Sequence, residues 1–375
     1  MKVDRHLAFH TRRDAWVEIN LATFESNVQK IRRSLPQGVS MMAVIKADAY
    51  GHGAPMMLPI LESLDVAMIG VASVDEAAQI RASKTTLPIL VLGPSPDWAL
   101  HAASDEGFQV TIYTQQHLDI LNDHFRKTGA VTEVQIKVDT GMHRIGVPYE
   151  QAIEFIQYCH TQASLNIQGI FTHLASPIDP SLYTTQIERW KTVVDAIDFP
   201  LPWIHFASSS AITPDLKPYA NMVRPGIGLF GYGPLAESLG LKPMMQVKAR
   251  LVHIQDLAPG EGVSYGHTYH NTNAQIQRIA TLPLGYADGI PRHLSNQIHV
   301  LYKGHRLPQV GAICMDQCMI NVTDIPDAQT GDIVTLIGED GKNTIWLDTW
   351  AKQLNTIEYE LMTGLRVRLP RTYVR

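Results

Sequence analysis

A lysine at the end of an apolar run is the first residue of this sequence that could do chemistry. Residues 41–45, Met-Met-Ala-Val-Ile, read as a short buried strand, and they deliver Lys46 to a turn that runs Ala47-Asp48-Ala49-Tyr50-Gly51-His52-Gly53. Burial disfavours an ammonium, so a lysine held there has its pKa pushed down and becomes an amine able to attack a carbonyl. The structural alternative is a lysine that buries its stem and snorkels its head into water.

More such residues stand at the ends of other apolar runs. Lys137 and Asp139, with Arg144 after a turn, follow the run 134–138; His173 closes 167–173; Ser208, Ser209 and Ser210 close 204–208; Arg224 lies in 222–227. Singly these read as a core histidine, a cap or a turn. As strand ends of one barrel they form a ring. Glycines 226 and 228 leave backbone N–H groups unobstructed, and with the serines they suit a phosphate near the last strands. A lysine facing a phosphate across a barrel mouth points to pyridoxal 5'-phosphate held as a Schiff base.

The elements that must position this ring alternate. Eight β-rich runs fall at 42–46, 68–72, 89–92, 109–113, 134–138, 167–173, 204–208 and 222–227. Helical spacing of apolar residues fills 75–81, 115–125, 149–160 and 184–196. This predicts an α/β fold, a (β/α)8 TIM-like barrel, whose active site lies at the C-terminal strand ends. A strand-like 15–19 and a helix-like 21–35 precede it. After Gly233-Pro234 the runs 247–254, 276–284, 298–302, 309–322 and 333–337 are separated by turn signals, and only 345–353 and 357–365 look helical. The expected division is an N-terminal extension over 1–14, a barrel over 15–245 and a mostly β C-terminal domain over 246–375.

Composition excludes several classes. The 375 residues are 45% hydrophobic and 18% charged with a net charge of −5, an ordinary globular balance without a basic footprint for nucleic acid or an acidic membrane. No apolar stretch approaches the roughly 18 residues that span a bilayer, and 1–14 lacks the apolar core of a signal peptide, so a cytoplasmic location is expected. Cys159, Cys314 and Cys318 cannot all pair within the chain and read as reduced thiols. The 16 histidines include no HExxH, and no metal is expected.

The residues carry a resemblance. The stretch 43–53, Ala-Val-Ile-Lys-Ala-Asp-Ala-Tyr-Gly-His-Gly, resembles the cofactor-lysine signature of the alanine racemases, pyridoxal-phosphate enzymes of the barrel type. Further matches follow in order around Lys137 to Arg144, Thr172-His173, Val223-Arg224 to Tyr232, Val263-Ser264-Tyr265-Gly266, Leu284-Gly285-Tyr286, Cys314-Met315-Asp316 and Glu358-Tyr359-Glu360. The resemblance covers nearly the whole chain, from about Trp16 to Arg371.

It implies interconversion of L- and D-alanine by two bases, Lys46 and Tyr265, in a homodimer with shared active sites. Lys46 would carry the cofactor; Arg224 would hold its pyridine nitrogen, with His173 against the ring. Tyr50, Ser209, Gly226, Ile227 and Tyr359 would bind its phosphate. Arg144 would lie near the substrate carboxylate, with Tyr286 and Met315 at a narrow entrance, and Lys137 matches a lysine often carbamylated in the family. The role implied is D-alanine supply for peptidoglycan or alanine catabolism. Two positions depart from the family pattern: Ser208 where an asparagine is usual, and Ala312 where an arginine is common.

The rivals are a broad-specificity or serine or lysine racemase on the same fold, a decarboxylase on the same barrel and a non-catalytic pyridoxal-phosphate-binding protein. The sequence lacks a decarboxylase-type glycine triplet, and a barrel-only carrier would have no second domain with Tyr265. The stretch from Gly226 to Gly231 also fits GxGxxG, but Tyr232-Gly233-Pro234 forbids the long helix a dinucleotide fold needs there.

Overall fold

A computed structural model describes residues 13–375. The extension expected over 1–14 therefore lies outside the described residues except for Arg13 and Asp14. The chain divides into two compact units. One comprises Phe24–Ala49 and Gly53–Lys242, the other the residues up to Thr23, Tyr50–His52 and Pro243–Arg375.

The first unit is the expected barrel. Its parallel strands Ser40–Val44, Met68–Val71, Ile89–Val91, Gln109–Ile112, Thr132–Asp139, Leu165–Phe171, Trp203–His205 and Met222–Val223 are neighbours in chain order, and the last pairs with the first. The ring comes together between Trp203–His205 and Met222–Val223 at one parallel bridge, Ser208 to Arg224. Parallel strands packed on both faces need apolar residues throughout, and Val110, Ile112, Val134, Ile136 and Val138 have no exposed surface. Met42, Met68, Leu90 and Met222 form one cluster of its core. Helices between the strands start at side-chain caps: Ser73 accepts the N–H of Glu76, and Thr114 that of His117. Gly107 and Gly129, both left-handed, end the helices Asp97–Glu106 and Gln115–Thr128.

The second unit is mostly β. Its largest sheet is antiparallel but for one pairing, and it corrects the expected division. The strand Ala15–Asn20, assigned to a barrel domain beginning at 15, instead lies between Met245–Arg250, antiparallel, and Arg371–Val374, parallel. Its alternating burial announces a half-buried strand in the sequence but carries no information about its partners.

Two long runs also split. The run 247–254 is two strands, Met245–Arg250 and His253–Leu257. The run 309–322 is His305–Val310 and Cys318–Asn321, parted by a loop that starts at Gly311 with φ +75° and carries Cys314 and Met315. Leu257, Val263, Ile279, Val310 and Met319 pack as a core beneath that loop's strands. Among the described residues no helix is long and apolar enough to cross a membrane, and no three metal-ligating side chains group together.

Candidate active site

Lys46 stands two residues beyond its strand, at the head of an unusual turn. Ala47, Asp48, Ala49 and Tyr50 have φ of 51°, 52°, 54° and 55°, and Gly51 follows at 79°. Four consecutive L-residues in the left-handed region cost about 1–2 kcal/mol each. Hydrogen bonds hold them there. Ala47 N–H donates to Oε1 of Glu76 at 2.8 Å, whose Oε2 accepts Ala72 N–H at 2.7 Å; Asp48 Oδ1 accepts Ala54 N–H at 2.7 Å. The turn thus fixes the backbone from which Lys46 projects. Its side chain is exposed at the barrel mouth, but the protein around its ammonium lowers its pKa, Arg144 lowers it further and Glu76 opposes both.

On the last strand, which pairs with the strand leading to Lys46, Arg224 is the buried hub. Its Nη1 donates to Nδ1 of His205 at 2.8 Å, and its Nη2 to the Thr172 carbonyl at 2.8 Å, the Phe206 carbonyl at 3.2 Å and Nδ1 of His173 at 3.3 Å. Since a guanidinium only donates, both histidines accept on Nδ1. Burial pushes Arg224 down to about 9, which leaves it a cation at neutral pH. His173 is pushed down to about 3 by burial and then by Arg224, Lys137, Arg144 and Lys46, so it is neutral. The Phe171 ring stacks on His205 with centroids 5.0 Å apart, and Lys137 Nζ lies 4.8 Å from its centroid.

Lys137 is almost fully buried and makes no hydrogen bond among the described residues. Burial, then Arg224 and Arg144, push its amine down to about 7, against a smaller opposing pull from Asp139. Asp139 is tied up in its own turn. One of its oxygens accepts the N–H groups of Gly141, Met142 and His143 at 2.9, 2.9 and 3.1 Å. Burial alone would raise its pKa, but those three bonds and His143 hold it low. The same turn leads to Arg144, which is exposed.

Of the residues expected to bind a phosphate, Ser209 and Gly226 are hydrogen-bonded to each other. The buried Ser209 Oγ accepts the N–H groups of Gly226 at 3.0 Å and Gly228 at 3.2 Å. Both acceptor positions of the hydroxyl are thereby used, and its proton is left to donate to an anion. At Gly228 a Cβ would lie 3.3 Å from that hydroxyl and 3.0 Å from a Leu235 methyl, so the close packing favours glycine. Ser208, at the asparagine position, forms the bridge to Arg224 that joins the last two strands.

The remaining expected residues belong to the second unit. Tyr265 is 73% exposed and follows Ser264, whose φ of +66° with ψ −172° is a glycine-like conformation. Ser264 Oγ donates to the carbonyl of Ala312 at 2.8 Å and lies 3.2 Å from Cys314 Sγ. Tyr286 and Met315 come together through backbone bonds, Tyr286 N–H to the Cys314 carbonyl and Ala287 N–H to the Met315 carbonyl, both 3.0 Å. The buried Asp288 pairs with Arg13 and Arg368, and Arg368 also binds Asp316 at 2.6 Å, tying both loops to one charge cluster. The rings of Tyr50 and Tyr359 are 5.8 Å apart and tilted by 55°. Burial, with a lesser push from Glu358, raises the Tyr359 phenol's pKa.

The donor set fits pyridoxal 5'-phosphate. Ser209 has a proton to give, Lys46 is a lowered amine, and the Arg224 Nε–H makes no bond among the described residues, leaving a donor for a pyridine nitrogen. Three contributors escaped the sequence reading: Glu76, Phe171 and His205. Glu76 sits at the ordinary third position of a helix, and Phe171 and His205 look like core strand residues. For His205 the one available signal was a histidine in a strand that also ends in serines.

Residues 19–234 match the family model for the alanine racemase N-terminal domain, and residues 244–373 that for the alanine racemase C-terminal domain. The chain belongs to the alanine racemase family. An alanine racemase of Nostoc sp. is 39% identical, over 96% of this chain and 96% of that one. The solved alanine racemase of Clostridium difficile 630 superposes with a TM-score of 0.90 at 34% identity, covering 97% of this chain and 96% of that one. The histidine racemase of Leuconostoc mesenteroides also superposes, with a TM-score of 0.86 at 29% identity over 97% of this chain and 99% of that one. The racemase fold therefore serves more than one side chain.

Proposed function

We propose that this chain interconverts L- and D-alanine with pyridoxal 5'-phosphate, and that Lys46 and Tyr265 are its two bases. The observation that carries this reading is a pair of groups at the ends of the adjacent first and last barrel strands: a lowered amine at Lys46, and a cationic Arg224 held by two neutral histidines. The cofactor, when bound, supplies an aldehyde for the lysine amine and a ring that withdraws electrons from the substrate's α-carbon. Lys46 Nζ takes or returns the α-proton on the D face, and the Tyr265 phenolic oxygen does so on the L face. A phenol of ordinary pKa, about 10, is a weak base at neutral pH, so cationic neighbours in the assembled site must assist it. Arg224, protonated, would donate to the ring nitrogen, and a donor that keeps its proton would weaken the ring as an electron sink and limit transamination.

Arg144 serves the substrate carboxylate, and Tyr286 with Met315 narrows the entrance to a methyl side chain. Ser209, Gly226, the N–H group of Ile227, Tyr50 and Tyr359 take the phosphate. Lys137 is a good amine for carbamylation: with a pKa of about 7 it is half neutral at neutral pH, and the neutral form can add carbon dioxide, lose a proton and become an anion in the field of Arg144 and Arg224. Exposure of Tyr265 supports a homodimer in which each tyrosine serves the partner's site. The product, D-alanine, would feed peptidoglycan, or the reaction would run in alanine catabolism.

The experiment is α-proton exchange. Each alanine enantiomer, incubated in heavy water with the holoenzyme, should exchange its α-proton and yield the other enantiomer, while histidine and lysine exchange far more slowly. Exchange of neither alanine enantiomer would overturn the reading. Mixing Lys46→Ala and Tyr265→Ala proteins tests the shared site, since hybrid dimers should regain part of the activity.

A further inference from the structure

Among the described residues Arg224 has no carboxylate in contact. A line of hydrogen bonds leads from it across the barrel interior instead. Its Nη1 lies 2.8 Å from His205 Nδ1, and His205 Nε2 lies 2.6 Å from Gln135 Oε1. Gln135 Nε2 lies 2.7 Å from Gln109 Oε1, and Gln109 Nε2 lies 3.1 Å from Glu133 Oε2. His205, Gln135 and Gln109 are buried, and Glu133 at the far end is half-buried.

The two ends dictate the direction of every link. A guanidinium can only donate and a carboxylate can only accept. His205 must therefore accept on Nδ1 and carry its proton on Nε2, Gln135 must turn its oxygen to His205, and Gln109 must turn its oxygen to Gln135. The weak contact of Gln135 Nε2 with Met68 Sδ at 3.6 Å agrees with that orientation. A second proton on His205 would place an N–H against the guanidinium, and burial with Arg224 holds its pKa well below the ordinary histidine value.

Stability does not account for these amides. Two buried glutamines cost free energy unless fully bonded, and apolar residues of the same shape would serve a barrel interior as well or better. What the pair supplies is a defined polarity, running in one direction from cation to anion.

We propose that Gln135, Gln109 and Glu133 are positioning residues: by accepting the Nε2 proton they work with the guanidinium at Nδ1 to lock His205 in its Nε2–H tautomer, so that His205 holds Arg224 as the donor for the cofactor ring. The last clause rests on the cofactor reading above, whereas the tautomer lock does not. The test uses protein labelled with nitrogen-15 in histidine, first without cofactor. His205 should show the Nε2–H tautomer alone in the parent from about pH 5 to about pH 9. In Gln135→Met, similar in size and beside Met68, a mixture of tautomers is expected, and Gln109→Met should give a smaller change of the same kind. An unchanged single tautomer in Gln135→Met overturns the proposal. If that variant does not fold, Gln109→Met decides in the same way. With cofactor and alanine, Gln135→Met should lower kcat about tenfold and leave KM within about twofold, the signature of lost transition-state rather than uniform binding. A protein that takes up no cofactor would instead sink the cofactor reading and leave the tautomer result standing.

Discussion

Oε1 of Glu76 accepts the backbone N–H of Ala47 at 2.8 Å, and this bond fastens the first left-handed residue after Lys46. The carboxylate's other oxygen takes the N–H of Ala72 at the end of the neighbouring strand, so one side chain ties the lysine turn to the barrel.

Two substitutions separate strain from clamp. Ala47→Gly removes the Cβ that opposes a φ of 51° and should stabilise the protein by about 1 kcal/mol. Glu76→Ala leaves two backbone donors without their acceptor and should destabilise it by about 1–3 kcal/mol. Denaturant midpoints of the cofactor-free proteins would show shifts of opposite sign; shifts of the same sign would contradict the clamp.

Ser209 offers a test of the phosphate cup. In Ser209→Ala the N–H groups of Gly226 and Gly228 lose their shared acceptor and the anion loses a donor. Cofactor affinity, measured by equilibrium dialysis, should weaken about tenfold or more. Undiminished affinity would remove Ser209 from the site.

Lys137 makes the barrel's stability depend on pH. Its amine titrates near 7 in the fold and at the ordinary 10.5 when unfolded, so between those values the unfolded chain binds more protons and stability rises with pH. Below about 7 the full penalty of a buried ammonium applies, at most about 5 kcal/mol for such a shift. In buffer free of carbon dioxide, Lys137→Met should therefore exceed the parent in unfolding midpoint most at about pH 6, with the gap narrowing toward pH 10. Adding bicarbonate should narrow it at neutral pH, because a carbamate between two guanidinium groups no longer pays for a buried cation. A gap independent of pH would contradict the depressed amine.

Ser264 holds a glycine-like conformation beside Tyr265, fastened by its hydroxyl to the Ala312 carbonyl. Ser264→Ala keeps the strain and loses the fastening. A fall in kcat of about tenfold with little change in KM is expected, since losing one buried hydrogen bond is worth on the order of 1–3 kcal/mol. Ser264→Gly should be the more stable protein and no faster. Full activity in Ser264→Ala would mean that Tyr265 needs no such anchor.

Much of the barrel was legible because parallel strands buried on both faces announce themselves as apolar runs, and five of the eight carry candidate polar residues near their ends. The second unit was less so. Its five expected runs hold strands, but Gly262–Val263, Asn343–Ile345 and Arg371–Val374 are strands that no run announced, and the joint within 247–254 and the loop within 309–322 contain enough apolar residues to pass as continuous runs.

The sequence by itself offered the candidates for the chemistry: a lysine ahead of a glycine-rich turn, an arginine before Pro-Gly and a serine at a strand end from residue type and position, and a tyrosine in the β half from the family resemblance. Residue type and local periodicity are properties of neighbouring positions, so they can be read along the chain. Only the tertiary structure decided that Ala15–Asn20 joins the C-terminal sheet, that a four-residue left-handed turn carries Lys46, and that Arg224 looks through His205 and two glutamines to Glu133. Those facts depend on long-range pairing and on the direction of hydrogen bonds between buried side chains. Neither leaves a period or a motif in the order of the residues.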